Sequence, residues 1–254
     1  MSESKKLTEE KTWSDVWESH SLPQVFKTDY NPYYVEVMDK FFHKYLPEDN
    51  NFEFLELGCA PGRWMHYFHD EFGYKVSGID YSKIGVEATR ENMRLLNTPA
   101  NVFEGDVLNF QSGKKYDMVF SIGLIEHFDP PKEIIQKHFD LLNERGYLII
   151  GVPNLSSPFY RFLQFLINKE LLKEHVIITK KDFEKIKTAG FETIYCNYFG
   201  VFNLFLLGIA KHKIRLHKTV NFFQTVVDKF LRKLNIQRES KIFSPYIFLI
   251  LKKI

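Results

Sequence analysis

The chain has 254 residues, of which 44% are hydrophobic and 26% charged, fractions that are typical of a folded globular protein and exclude intrinsic disorder. The formal net charge of +2 gives no electrostatic reason to expect a nucleic-acid partner, and two cysteines cannot build a disulfide framework. The first residues lack the apolar core of a signal peptide, so we expect a cytoplasmic protein.

Apolar segments of strand length alternate with segments of helical periodicity along most of the chain. The predicted strands cover residues 52–57, 74–79, 101–104, 116–123, 146–153, 191–199 and 244–253. One intervening segment carries a helical stripe of Trp64, Phe68 and Phe72, and another begins at Ser82, a residue type that caps helices. This alternation predicts an α/β fold with a Rossmann-like, seven-stranded, mostly parallel sheet and helices on both faces.

Two segments interrupt the alternation after the fifth and sixth predicted strands. Residues 155–178 and 200–240 mix aromatic, apolar and basic side chains, and we interpret them as insertions that form a lid. We expect residues 51–254 to form the main domain, and residues 1–50 to add a lid and substrate segment to it.

A helix start is predicted between the first insertion and the sixth strand. The sequence TKKD, from Thr179 to Asp182, has the residue types of a capping box. Gly190 follows as a natural C-cap, so we expect the helix to end there.

A glycine-rich turn, LELGCAPGRW, follows the first predicted strand. A P-loop needs Lys and then Ser or Thr after its last glycine, where this chain has Arg63 and Trp64. A dinucleotide fingerprint needs a third glycine where Arg63 stands. The remaining pattern is G-x-G-x-G with an acidic residue two places earlier. It is matched, with alanine in place of the middle glycine, by Glu56, Gly58, Ala60 and Gly62.

Polar residues also stand at the ends of the next predicted strands. Asp80 closes the second strand about 20 residues past the glycine turn, a spacing that suits a ribose-binding carboxylate. Asp106 follows the third strand and Ser121 lies near the end of the fourth. Because parallel sheets bind ligands at the carboxyl ends of their strands, we expect these residues to share one site with the glycine turn.

In these motifs the chain resembles the class I S-adenosylmethionine-dependent methyltransferases. The resemblance implies that Glu56 orients the methionyl end of S-adenosyl-L-methionine, that Asp80 accepts its ribose hydroxyls, and that Asp106 reads its adenine amino group. The cofactor-binding residues that it implies are Glu56, Gly58, Ala60, Gly62, Asp80, Tyr81, Asp106, Val107 and Ser121. Alanine at position 60 departs from the family pattern and affects the geometry of the turn.

The segment FSIGLIEHFDPP, after the fourth strand, resembles the small-molecule members of that family, whose Glu-His pair lies between cofactor and acceptor. We therefore interpret Glu126 and His127 as candidate catalytic residues, with His127 as a general base that titrates near neutral pH. His175, in the first insertion, is a second candidate base. The carboxylates near this strand are Glu126 and Asp129, too few for the cluster of a metal-dependent enzyme, so no metal is expected.

The resemblance implies an enzyme of class EC 2.1.1, and by the same analogy we expect it to O-methylate a sugar, a cell-surface polysaccharide precursor or a related small molecule. Three alternatives stay open. One is a quinone or lipid precursor methylated at a membrane surface, contacted through residues 159–172 and 199–210. Another is an RNA 2′-O-methyltransferase, but such enzymes carry a catalytic aspartate where this chain has Ser121-Ile122-Gly123. The third is a cofactor-binding scaffold without catalysis; the oligomeric state is left open.

Overall fold

The computed structural model describes residues 4–18, 21–28, 32–167, 169, 172–186, 189–204 and 214–254, with the backbone alone for residues 214–217. The strands in these ranges are β1 (Lys5–Lys6), β2 (Glu53–Leu57), β3 (Lys75–Asp80), β4 (Ala100–Glu104), β5 (Tyr116–Ile122), β6 (Phe128–Asp129), β7 (Leu142–Pro153), β8 (Phe191–Phe199) and β9 (Tyr246–Lys253). The helices are α1 (Glu10–Glu18), α2 (Tyr33–Tyr45), α3 (Arg63–Phe72), α4 (Lys83–Leu95), α5 (Lys132–Asp140), α6 (Pro158–Ile167), α7 (Lys180–Glu184) and α8 (Ile214–Lys233). Short 3-10 helices cover Val107–Asn109 and Ile125–His127.

Seven of these strands form one sheet in the order β4-β3-β2-β5-β7-β9-β8. Strands β2, β3, β4, β5 and β7 run parallel, whereas β9 runs antiparallel to both β7 and β8. The predicted Rossmann-like, mostly parallel sheet is confirmed. Strand β7 starts at Leu142, earlier than the sequence predicts, because Leu142 already pairs with Tyr116 before the ladder shifts register.

Both faces of the sheet are covered by apolar layers. Successive strand residues point to opposite faces, so Phe54 and Phe120 pack with the aromatic side chains of α2 and α3 on one side. Leu55 and Val119 pack on the other side, where α5 and α7 lie. Such two-sided burial explains why these strands have apolar residues at nearly every position.

Helix α2, within the segment 1–50 that the sequence analysis assigns to a lid, is part of the core. Its Met38 and Phe42 are buried, and the Phe42 ring packs against Trp64 and Phe68 of α3. Large apolar side chains on the inner face of the helix require a place in the core. The part of the N-terminal segment that precedes α2 is therefore the part available to cover a site.

The predicted insertions contain helix α6 and helix α8, although residues 168, 170, 171 and 205–213 lie outside the described residues. The capping box at Thr179 and Asp182 is confirmed. Helix α7 ends at Glu184 and not at Gly190, because Lys185 and Ile186 donate to carbonyls three residues earlier and tighten the last turn.

Candidate functional site

A cavity of about 340 Å³ lies at the carboxyl ends of the central parallel strands. Most of the residues that the sequence singled out line it. They are Glu56, Gly58, Ala60, Asp80, Tyr81, Asp106, Val107 and His127. The fold therefore brings the acidic residues at three strand ends to one place, as the parallel topology requires.

Gly58 and Gly62 bracket the turn after β2, and both have a positive φ, of 72° and 87°. Only Gly58 lines the cavity. A Cβ atom at Gly62 would lie 2.9 Å from the side chains of Thr89 and Met93 on α4, so this glycine allows α3 to start close to α4. Gly62 therefore has a packing role at the start of α3, and its assignment to the cofactor stays a prediction.

Asp80 is held in place by backbone donors at both carboxylate oxygens. The amide of Ala60 donates to Oδ2 at 3.2 Å, and the amide of Ser82 donates to Oδ1 at 2.9 Å. Burial raises the pKa of Asp80, and these amide donors act in the opposite direction. The Ser82 hydroxyl in turn accepts from Gly85 and caps α4, so Asp80 is fixed at the junction of strand and helix.

Glu56 is the most buried carboxylate of the cavity, with 4% of its surface exposed. Its Oε2 atom has no hydrogen-bond partner among the described residues. Burial raises the pKa of Glu56 well above its usual value, although the Arg63 guanidinium opposes this shift. A buried carboxylate oxygen without a donor is a place where a ligand with N–H or positive charge would be stabilised.

Asp106 is linked to the N-terminal segment through Lys6. The Lys6 Nζ atom lies 2.8 Å from the Asp106 carboxylate and 4.9 Å from the centre of the Tyr81 ring. Lys6 belongs to β1, which pairs antiparallel with β6. The sequence analysis missed Lys6, because nothing in a polar N-terminus distinguishes one lysine from its neighbours.

Aromatic side chains of helix α1 form another wall of the cavity. Trp13 and Trp17 both line it and stack with ring centres 6.1 Å apart. Trp13 also meets the His127 ring edge-on at 5.1 Å. Gly85 makes room for this helix, since a Cβ atom there would lie 2.8 Å from Trp17. Residues of the N-terminal segment therefore form part of the cavity wall, and a role for this segment as a lid stays a prediction.

Ser121 does not line the cavity, and its assignment to the cofactor stays a prediction. Its hydroxyl lies 2.8 Å from Nε2 of the buried His138 on α5. The alternation of side chains along β5 turns Ser121 towards α5, while the next residues, Ile122 and Gly123, reach the cavity.

Glu126, His127 and His175 come together, although Glu126 and His175 do not line the cavity. Burial raises the pKa of Glu126 to about 8. Burial, followed by the neighbouring His175, lowers the pKa of His127 to about 3. His127 is thus neutral at physiological pH and a far weaker base than the near-neutral general base that the sequence suggested.

Comparison with known proteins identifies a matching family. A family model described as a methyltransferase domain matches residues 30–200. Ubiquinone biosynthesis O-methyltransferase from Rickettsia akari is 23% identical over 128 residues, which cover 50% of this chain and 49% of that enzyme. Trans-aconitate 2-methyltransferase from Escherichia coli is 24% identical over 110 residues, 43% of this chain and 42% of that enzyme. The chain thus spans about half the length of the curated relatives it matches.

The same fold is found among solved structures. The plantazolicin methyltransferase BpumL, solved in complex with a triazolic desmethylPZN analog and SAH, superposes with a TM-score of 0.58. The sequences are 17% identical, and the match covers 96% of this chain and 89% of that one. At this identity the likeness is one of fold.

Proposed function

The chain belongs to the methyltransferase-domain family and has the class I fold, and from this premise we propose that it transfers a methyl group from S-adenosyl-L-methionine to the hydroxyl of a small molecule. The observation that carries the proposal is the set of three carboxylates, Glu56, Asp80 and Asp106, that line one cavity at successive strand ends. We call these three residues the carboxylate set.

The carboxylate set fits the cofactor in its hydrogen-bonding chemistry. The unpartnered Oε2 of Glu56 would accept from the charged methionyl end. The Asp80 carboxylate offers about four acceptor sites and accepts backbone N–H groups of Ala60 and Ser82, so acceptor capacity remains for the ribose hydroxyls. Asp106 would accept from the adenine amino group beside Val107. When bound, the cofactor supplies a methyl group on a positively charged sulfur atom.

The chain itself contributes alignment and exclusion of water. Trp13, Trp17 and His127, which we call the aromatic set, line the same cavity and would hold a flat or ring-shaped acceptor. Since His127 is a weak base in this environment, methyl transfer would depend chiefly on alignment of the reacting atoms. The cover over the cavity favours a small acceptor over a nucleic acid or a protein.

We propose a sugar or cell-surface glycan precursor as the acceptor, since hydroxyl-bearing rings suit the aromatic and polar lining. To test the function, the protein is incubated with radiolabelled S-adenosyl-L-methionine and panels of nucleotide sugars, phenolic quinone precursors and tricarboxylic acids. Label transfer to a nucleotide sugar supports the acceptor class, and transfer only to another panel replaces it. Cofactor binding without transfer to any panel indicates the scaffold alternative, and no cofactor binding contradicts the proposed function.

A second candidate is a quinone-like acceptor at a membrane surface, which one curated relative suggests by its name. The observation that favours it is an apolar face on α8, where Phe222, Phe223 and Phe230 are 68%, 57% and 58% exposed. Exposed Lys229 and Lys233 lie on the same helix and would suit anionic headgroups. In the segments that the sequence suggested, α6 has exposed apolar residues, whereas residues 205–210 lie outside the described chain.

The length and polarity of a helix decide whether it can span a bilayer or only contact its surface. No helix among the described residues is long and apolar enough to span a bilayer. Co-sedimentation with vesicles of phosphatidylglycerol should exceed that with phosphatidylcholine, and the double variant Phe223→Ser, Phe230→Ser should reduce it. The matched control Phe202→Ser changes a phenylalanine that is not on this face. Equal binding by the wild type and the double variant would remove this candidate.

A further inference from the structure

Three potential metal ligands from distant parts of the chain meet beside the cavity. Glu126 and His127 lie in the 3-10 turn after β5, and His175 lies between α6 and α7. One potential ligand atom from each side chain lies within 4.8 Å of the others. The backbone fixes this meeting, because the amide of Val176 donates to the Glu126 carbonyl at 2.7 Å.

The orientation of His127 suits a metal ligand. Its Nδ1 atom lies 3.1 Å from the backbone carbonyl of Glu174. Since a carbonyl can only accept, Nδ1 carries the proton and Nε2 keeps its lone pair. Histidine ligands of metals are commonly fixed in this way, with one ring nitrogen donating to a carbonyl and the other bound to the ion.

One oxygen of the buried Glu126 carboxyl, Oε2, lacks a hydrogen-bond partner among the described residues. The residue is only 2% exposed. A buried carboxylate is costly without a compensating charge, and a bound cation supplies one. This unpartnered atom is a second observation, separate from the convergence of the three side chains.

In a second cluster of potential metal ligands, a lysine side chain already neutralises the carboxylates. Asp39, His43 and Glu71 also bring three potential ligand atoms within 4.8 Å of one another. There the ammonium of Lys27 lies 3.3 Å from Asp39 and 2.8 Å from Glu71, so a side chain already provides the positive charge. Among the described residues, no lysine or arginine forms an ion pair with Glu126.

We propose that Glu126, His127 and His175 form a binding site for a divalent transition-metal ion of the zinc type. Two imidazoles and one carboxylate are a ligand set that such ions prefer. Metal bonds of about 2.0–2.2 Å hold any two ligand atoms of one ion within about 4.4 Å of each other. The three atoms, which all lie within 4.8 Å of one another, are therefore at or near the spacing of a ligand set. The absence of metal expected from the sequence rested on carboxylates near β5 and did not include His175.

The site adjoins the cavity, because His127 both belongs to the cluster and lines the cavity wall. With three protein ligands, the ion keeps an open coordination position. The next step rests on the proposed function. The open position takes the acceptor oxygen, and the ion lowers the pKa of the acceptor hydroxyl.

Direct metal binding tests the proposal without measuring activity. Protein treated with EDTA and then desalted is titrated with zinc chloride by calorimetry and with cobalt chloride by visible absorption. We expect one ion per chain, with a dissociation constant of about one micromolar or tighter and a cobalt spectrum of low coordination number. The variants Glu126→Gln and His175→Ala should each weaken zinc binding by about 100-fold or more.

The matched control is His43→Ala, which changes the cluster already neutralised by Lys27 and should leave zinc affinity unchanged. The proposed site would be wrong if the wild type bound no stoichiometric zinc. It would also be wrong if Glu126→Gln and His175→Ala both bound zinc with the affinity of the wild type. Loss of binding in His43→Ala alone would also overturn it. Cofactor binding, measured separately by calorimetry, distinguishes this failure from a failure of the proposed function.

Discussion

The carboxylate set and the aromatic set line the same cavity but arise from different kinds of sequence. Glu56, Asp80 and Asp106 each lie at or near the carboxyl end of one of three parallel strands that are neighbours in the sheet. The aromatic set joins α1, at the N-terminus, to His127 after β5. The first set is fixed by strand topology and local turns, whereas the second depends on contacts between segments far apart in the chain.

The largest effect that would test this difference is expected at Asp80. In Asp80→Ala, two charge-assisted hydrogen bonds to ribose hydroxyls would be lost, each contributing about 1.5–3 kcal/mol. Affinity for S-adenosyl-L-methionine should therefore fall by about 10²–10⁴-fold in calorimetric titration. Substitutions in the aromatic set should reduce turnover more than cofactor affinity.

The control is Asp70→Ala, which removes an exposed carboxylate from α3 and should bind the cofactor as the wild type does. Because Asp80 also accepts from Ala60 and Ser82, thermal unfolding of the variant must be measured. A folded Asp80→Ala protein with unchanged affinity would contradict the assigned role of the carboxylate set.

The difference between the two sets also explains how far the sequence could predict the site. The glycine turn, Asp80 and Asp106 were found because each motif is local and its position at a strand end follows from the fold class. The proximity of His175 to Glu126 is a tertiary contact, and no local sequence pattern predicts it. The contact of Ser121 with His138 was equally hidden, because the sequence does not show which face of β5 turns towards α5.

In the fold too, the features set by local patterns were predictable and those set by tertiary contacts were not. Strand order was predictable because alternating strands and helices leave few topologies. The place of α2 was not, since an aromatic helix suits a core as well as a lid. The contact between Phe42 and Phe68 of α3 places α2 in the core, and the sequence alone does not show this contact.

An intermediate effect is expected at Gly62, which supports the turn of the carboxylate set by packing alone. In Gly62→Ala, a positive φ costs about 1–2 kcal/mol and the new Cβ meets Thr89 and Met93 at 2.9 Å. Thr89 cannot easily move away, since its hydroxyl donates to Gly85 at 2.8 Å. We expect the free energy of unfolding to fall by about 2–5 kcal/mol in urea denaturation.

Gly113→Ala separates strain from crowding. Gly113 also has a positive φ, of 70°, but a Cβ atom there would meet nothing within 4 Å. Its substitution should cost only about 1 kcal/mol. If both variants lose the same stability, crowding against α4 contributes nothing and the packing role of Gly62 is wrong.

The smallest effect is expected at Lys6, where the N-terminal segment touches the carboxylate set. Lys6→Met removes an ion pair of 2.8 Å whose partners are both about one-third exposed, so solvent and salt already weaken it. By fixing the Asp106 carboxylate, Lys6 should improve cofactor affinity only about two- to fivefold, or at most about 1 kcal/mol. This advantage should disappear at about 1 M salt, where the Debye length is about 3 Å.

Lys5→Met, at the exposed neighbour in β1, is the control and should change neither affinity nor its salt dependence. A hundredfold loss in Lys6→Met would mean that the N-terminal segment builds the cofactor site itself, and the separation of the two sets would have to be abandoned.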